Sequence, residues 1–251
     1  MKIKVCGMRD AENIKAVSAL GIDMIGFIFY PKSTRYVSMI NSEAGTMPDY
    51  SEERLEALST NAATTPVATQ AHASPRTIQK PLRVGVFVDD MPQNIVSRVV
   101  NYQLDYVQLH GHESVVMIEN LKRTLVPDIA PNIKIIKAFG IASEHDFEQC
   151  KPYEGVADLF LFDTQCPTAG GSGQHFNWQL LQAYKGHTPF LLSGGIGPDD
   201  ADALRQIQHE RMVGIDLNSR FETSPAMKDV EKLHTLSLIH ISEPTRLRCI
   251  S

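Results

Sequence analysis

The 251-residue chain contains no run of about 18 apolar residues, the minimum for a membrane-spanning helix. Its first ten residues, Met1 to Asp10, form a charged, strand-like start without the apolar stretch of a secretion signal. Cysteine is scarce. Cys6, Cys150, Cys166 and Cys249 are scattered, with no CxxC and no close pairs. That pattern argues against a disulfide framework or a zinc knuckle and points to a reducing cytoplasm. Excess basic charge is also missing: 24 Lys+Arg face 29 Asp+Glu, a net charge of −5. General binders of nucleic acid or anionic membrane carry a basic field, so neither partner is expected. A local phosphate site is still compatible with this balance, because a few backbone N–H groups suffice for one.

What the chain does have is a rhythm. Eight short apolar runs recur: Ile3–Cys6, Met24–Phe29, Val84–Val88, Tyr106–Leu109, Ile133–Ala138, Leu159–Phe162, Phe190–Leu192 and Met212–Leu217. They are apolar at successive positions, as strands of a parallel sheet covered on both faces are. Amphipathic stretches separate most of them. Asp10 is placed to cap Ala11–Leu20, and Pro92–Asn101 opens with proline in its first turn. Glu113–Thr124, Ser143–Cys150, Asn177–Tyr184, Pro198–Gln208 and Met227–Leu238 complete the helical set, with Ser143 and Asn177 as further caps. Eight strand–helix repeats in this length predict a single (β/α)8 barrel over residues 1–236. The alternative is a doubly wound open sheet. It is disfavoured because the first strand–helix turn, Cys6-Gly7-Met8-Arg9-Asp10, lacks the GxGxxG fingerprint.

Two segments break the rhythm. Between Val37 and Pro81 only Ser51–Leu58 reads as a helix, and the Ala/Thr/Pro-rich stretch over about 60–80 reads as an exposed excursion. Residues 237–251 carry no helical stripe beyond Leu238 and include Pro244, so they are expected to be a non-native tail.

In a barrel the active site lies at the C-terminal strand ends, so the residues after each run carry the chemistry. Cys6 ends the first run, as a proton-transfer group or as an inert buried thiol. Lys32 and Arg35 follow the second, as anion-binding cations or as a solvated loop. His110 follows the fourth, as a substrate contact or a polar strand end. Asp163 closes the sixth, where an acid is costly unless it is hydrogen-bonded or used. The glycine-rich stretch after it, with Gly171 and Gly173, suits close ligand contact or a mobile lid. Ser193-Gly194-Gly195 follows the seventh run and Asp216-Leu217-Asn218-Ser219 closes the eighth. Loops in those two places form the recurring phosphate site of barrels.

The ordered set KVCGM (4–8), DMIGFIFYPKSTRYVS (23–38), VGVFVD (84–89), YVQLHG (106–111), LFDT (161–164), GGSGQHFNW (170–178), LLSGGI (191–196) and GIDLNSRFETSPAMKD (214–229) resembles the phosphoribosylanthranilate isomerase family of tryptophan biosynthesis. The resemblance implies a (β/α)8 barrel that performs an Amadori rearrangement of a phosphoribosylated anthranilate, without metal or organic cofactor. It implies Cys6 as general base, Asp163 as general acid, and Arg35 at the anthranilate carboxylate. Such a pair needs opposite tuning: nearby cations should favour the Cys6 thiolate, and burial should keep Asp163 protonated. The chain departs from the family where Ser-Ser-Gly usually follows the last strand's Asp; here it is Asn218-Ser219-Arg220. Other sugar-phosphate barrels and a silent phosphate-binding barrel are the competing functions. The related histidine-pathway isomerase has Asp where this chain has Cys6. A monomer or a homodimer is expected.

Overall fold

The computed structural model describes residues 1–42, 45–48, 80–164 and 178–241, with backbone alone over 39–42, 45–48 and 237–241. Eight strands close into a parallel barrel: β1 (Lys2–Val5), β2 (Met24–Ile28), β5 (Leu82–Phe87), β6 (Tyr106–Leu109), β7 (Lys134–Gly140), β8 (Leu159–Asp163), β9 (Phe190–Ser193) and β10 (Met212–Leu217). Neighbours follow chain order around the ring, and β1 closes it against β10 with Lys4 opposite Asp216. The expected (β/α)8 architecture is therefore what the chain forms, and the open sheet is not.

Side chains alternate in and out along each strand. Met24, Val84, Tyr106, Ile136, Leu159, Leu161 and Leu191 fill the barrel interior as one apolar cluster. The alternate residues, among them Phe160, Phe162, Phe190 and Leu192, face the helices and belong to the larger outer core. There the rings interlock: Phe162 lies tilted 4.6 Å from Phe190 and meets Tyr184 edge-on at 5.0 Å. This double burial explains why the strands read as unbroken apolar runs.

The connecting helices follow local signals. Asp10 accepts from the Asn13 N–H at 2.8 Å and starts α1 (Ala11–Ser18). Proline opens α2 (Pro92–Tyr102), and Ser114 caps α3 (Val115–Leu125) through the Met117 N–H. Other expectations need correction. The fifth connection is a 3-10 helix, Glu144–Tyr153, with Pro152, which cannot donate to the last turn, near its end. The sixth is a short 3-10 segment, Trp178–Ala183, and its expected cap, Asn177, lies outside the described residues. Pro198–Gln208 divides into a 3-10 turn, Pro198–Asp200, and α4 (Ala201–Gln206). Met227 does not begin a helix. It lies in β12 (Met227–Lys228), paired antiparallel with β11 (Glu222–Ser224) around Ala226 at φ 66°. The last helix, α5, runs Val230–Ile241, past the expected stop at Leu238. A hairpin of β3 (Met39–Ser42) and β4 (Gly45–Pro48), which the sequence reading did not anticipate, follows β2. The expected helix Ser51–Leu58, the excursion as far as residue 79, and residues 242–251 lie outside the described residues.

Phe162 has no exposed surface and touches Phe147, Tyr184 and Phe190. Phe162→Ala is expected to cost about 3–5 kcal/mol in urea unfolding, because the surrounding rings cannot collapse into the space. A loss under about 1 kcal/mol would show that this outer core repacks.

Candidate active site

The inward-facing rows that fill the barrel end, at the C-terminal rim, in polar groups. Cys6, Asp163, Ser193, Asp216 and Asn218, with Gln108 and His110 from the end of β6, surround a cavity of about 310 Å³. Ile28 and Val86 form its apolar floor, and Gly194, Gly195 and Ser219 sit on its loops. The residues expected at Cys6, His110, Asp163, Ser193, Gly194, Gly195, Asp216, Asn218 and Ser219 thus meet at one opening. Gly171 and Gly173 lie outside the described residues.

Cys6 is 4% exposed, and its sulfur is accommodated by Gly26 on β2, where a Cβ would stand only 2.8 Å from Sγ. Two residues earlier on the same inward row is Lys4, which has no exposed surface and whose Nζ lies 2.9 Å from Asp216 Oδ1. Burial opposes the Lys4 charge, but Asp216 and Cys6 outweigh it and hold its pKa above the ordinary value. Ser193 Oγ approaches the other Asp216 oxygen at 3.5 Å.

The expected tuning of Cys6 needs correction. Burial pushes the thiol up, and Asp216 adds to that; Lys4 and Lys228 pull the other way and are outweighed. The balance therefore favours the protonated thiol over the thiolate. Asp163 sits across the cavity with its side chain 17% exposed, and His110 Nε2 lies 3.6 Å from its Oδ2. Gln108 Nε2 lies 3.2 Å from His110 Nδ1. Gln108 is 1% exposed, and its Oε1 has no partner among the described residues.

Arg35 stands beside the cavity rather than in its lining. It donates twice to Glu222, from Nε to Oε1 at 2.8 Å and from Nη2 to Oε2 at 2.6 Å. Lys228, with no exposed side-chain surface, shares the same carboxylate at 2.6 Å and donates to Asn218 Oδ1 at 2.8 Å. Burial works against the Glu222 charge, but Arg35 and Lys228 hold its pKa below the usual range, while burial lowers that of Lys228. Lys32, the other expected cation, is exposed on its loop. The backbone of the glycine turn is left-handed, with φ +99° at Gly194 and +64° at Gly195. A Cβ on Gly194 would meet Thr164 O at 2.5 Å.

Lys4, Gln108, Glu222 and Lys228 escaped the sequence reading. For Lys4 and Gln108 a signal existed: each lies two residues before a chosen residue, Cys6 or His110, on the same strand face. Glu222 and Lys228 follow the last strand and carried no such mark. Among the described residues no cluster of His, Cys, Asp or Glu could hold a metal ion, and no helix is long and apolar enough to cross a membrane.

Fold and site together define a (β/α)8-barrel enzyme that sets a thiol against a carboxylate at the C-terminal rim of its strands. The family model of N-(5'-phosphoribosyl)anthranilate isomerase matches residues 42–237. A protein of that name from Phocaeicola vulgatus is 44% identical over 94% of this chain and 95% of its own, and one from Parabacteroides distasonis is 44% identical over 93% and 90%. A crystal structure of phosphoribosyl anthranilate isomerase with reduced 1-(o-carboxyphenylamino)-1-deoxyribulose 5-phosphate superposes with TM-score 0.65 at 28% identity, covering 94% of this chain and 96% of that one. The Thermotoga maritima enzyme superposes with TM-score 0.64 at 29% identity, covering 94% and 96%. The chain belongs to the phosphoribosylanthranilate isomerase family.

Because burial outweighs the cations at Cys6, its alkylation by iodoacetamide is expected to be slow at neutral pH. The rate should rise with a midpoint above the ordinary thiol value of 9.0. Peptide-resolved mass spectrometry separates Cys6 from Cys150, whose pKa burial pushes up to about 12. A Cys6 midpoint below 9.0 would show that Lys4 and Lys228 prevail over burial.

Proposed function

We propose that the chain converts N-(5-phosphoribosyl)anthranilate to 1-(2-carboxyphenylamino)-1-deoxyribulose 5-phosphate, with Asp163 as acid and Cys6 as base. Family membership supports the reaction. The observation that carries the residue roles is that Cys6 and Asp163, from strands on different sides of the ring, open into the same cavity. The phosphate of the substrate belongs at the loops after β9 and β10, beside Gly194, Gly195, Asn218 and Ser219. Arg35 serves the anthranilate carboxylate from its seat on Glu222.

Asp163 in its acid form gives a proton to the furanose oxygen. The ring C–O bond breaks as the anthranilate nitrogen lone pair forms the C1=N bond. The resulting iminium makes the C2 hydrogen acidic. Cys6 takes that proton as thiolate, and the C–H electrons form the enolamine, which tautomerises to the ketone. Proton transfers of this kind contribute about 10²–10⁴-fold each. His110 faces Asp163 with its Nε2 and is placed to orient its carboxylate. Lys4 and Lys228 favour the charged form of Cys6 once substrate displaces water. The reaction belongs to the cytoplasm, where free thiols persist. The active form is a monomer or a homodimer; the Thermotoga maritima relative is described as a dimer and as generated monomers.

A fluorescence assay of phosphoribosylanthranilate consumption tests this. Cys6→Ser and Asp163→Asn are each expected to lose at least about 10²-fold in kcat while retaining the native circular dichroism. Near-normal turnover in either variant removes that residue from its role.

A further inference from the structure

One cation at the rim has no role in the chemistry above. Arg220 is the middle residue of the 3-10 turn Ser219–Phe221, and it lines the cavity beside Ser193, Gly194, Gly195, Asn218 and Ser219. Phe221, with no exposed surface, anchors the turn from beneath, and its N–H donates to Asn218 O at 3.1 Å. The arginine side chain reaches from the loop after β10 across to the loop after β9. A Cβ built on Gly197 would lie 3.3 Å from Arg220 Cδ and 3.8 Å from its Nη1. Asp200, the acid nearest that point, gives its Oδ2 to the Gly197 N–H at 2.7 Å.

The other cations around the site are already engaged. Lys4 pairs with Asp216, while Arg35 and Lys228 share Glu222. Arg220 forms no ion pair among the described residues. Gly194 and Gly195 line the same cavity, and their N–H groups find no acceptor among the described residues. An unpaired guanidinium and unspent amides lining one cavity constitute anion-binding chemistry. The planar fork of arginine suits two oxygens of a tetrahedral phosphate.

We propose that Arg220 binds the phosphate monoester of the substrate, adding a charged side-chain fork to a subsite otherwise made of loop backbone. The inference rests on the function proposed above and names a residue that sets affinity for the phosphorylated substrate. The proton transfers are assigned to Cys6 and Asp163, so Arg220 should act on binding and not on those steps. Its charge also makes phosphate affinity depend on ionic strength, since the side chain is exposed.

The test compares wild type with Arg220→Gln, Arg220→Lys and, as a control for net charge, Arg123→Gln on the remote α3. Inorganic phosphate is titrated by calorimetry, and KM and kcat are measured for phosphoribosylanthranilate. Arg220→Gln is expected to weaken phosphate binding and raise KM by roughly tenfold, with kcat near the wild-type value. Arg220→Lys should fall between, keeping the charge but losing the fork, and Arg123→Gln should match wild type. Equal phosphate affinity in folded Arg220→Gln and wild type overturns the proposal. So does an equal loss in Arg123→Gln, or wild-type protein that binds no phosphate. If wild type fails to turn over the substrate while Arg220→Gln still loses phosphate affinity, the reaction is misassigned and the anion site stands.

Discussion

The barrel closes where β1 meets β10, and at that seam Lys4 and Asp216 face each other as register partners in a buried ion pair. A lysine and an aspartate removed from water are costly unless each satisfies the other. Removing one partner of such a pair typically costs about 3–5 kcal/mol, because the other is left charged and unpaired. The pair therefore ties ring closure to the site: Cys6 follows Lys4 on one strand, and Asn218 follows Asp216 on the other. The thiol, the buried cation and the loop that begins at Asn218 are held in one arrangement by a contact at the cavity wall.

Charge balance organises the rim as well. Glu222 lies between Arg35 and Lys228, and Lys228 reaches on to Asn218. This network hangs on the small β11–β12 ribbon, a feature the chain builds from only five residues. Its effect is to fix a guanidinium at the edge of the cavity with some donors still free while its charge is partly neutralised. The cations nearest Cys6 are similarly compensated, by Asp216 and Glu222. That compensation is why burial, and not the positive charge, decides the direction in which the Cys6 thiol is shifted.

The barrel was legible because each of its strands is buried on both faces, so its sequence is an uninterrupted apolar run. The rim was legible for the same reason, since the first polar residue after each run has to face the opening. Less legible were segments whose form depends on what they pack against. Glu144–Tyr153 has a helical look but carries Pro152, and Met227 has good helix neighbours but pairs with Glu222–Ser224 instead. The hairpin of Met39–Ser42 and Gly45–Pro48 shows no alternation strong enough to announce it.

By itself the sequence determined the eight-fold repeat, the end of the chain's strands at which chemistry sits, and the identities of Cys6, Asp163 and the glycine turn at 194–195. These are local properties: hydrophobic period, residue type and position relative to a strand end. The tertiary structure alone decided which charges meet. Lys4 finds Asp216 across 212 residues and Arg35 finds Glu222 across 187. It also decided that the Cys6 thiol is pushed up and not down. Ionisation depends on the sum of burial and of charges brought from distant parts of the chain, and only closure of the ring brings those parts within reach of one another.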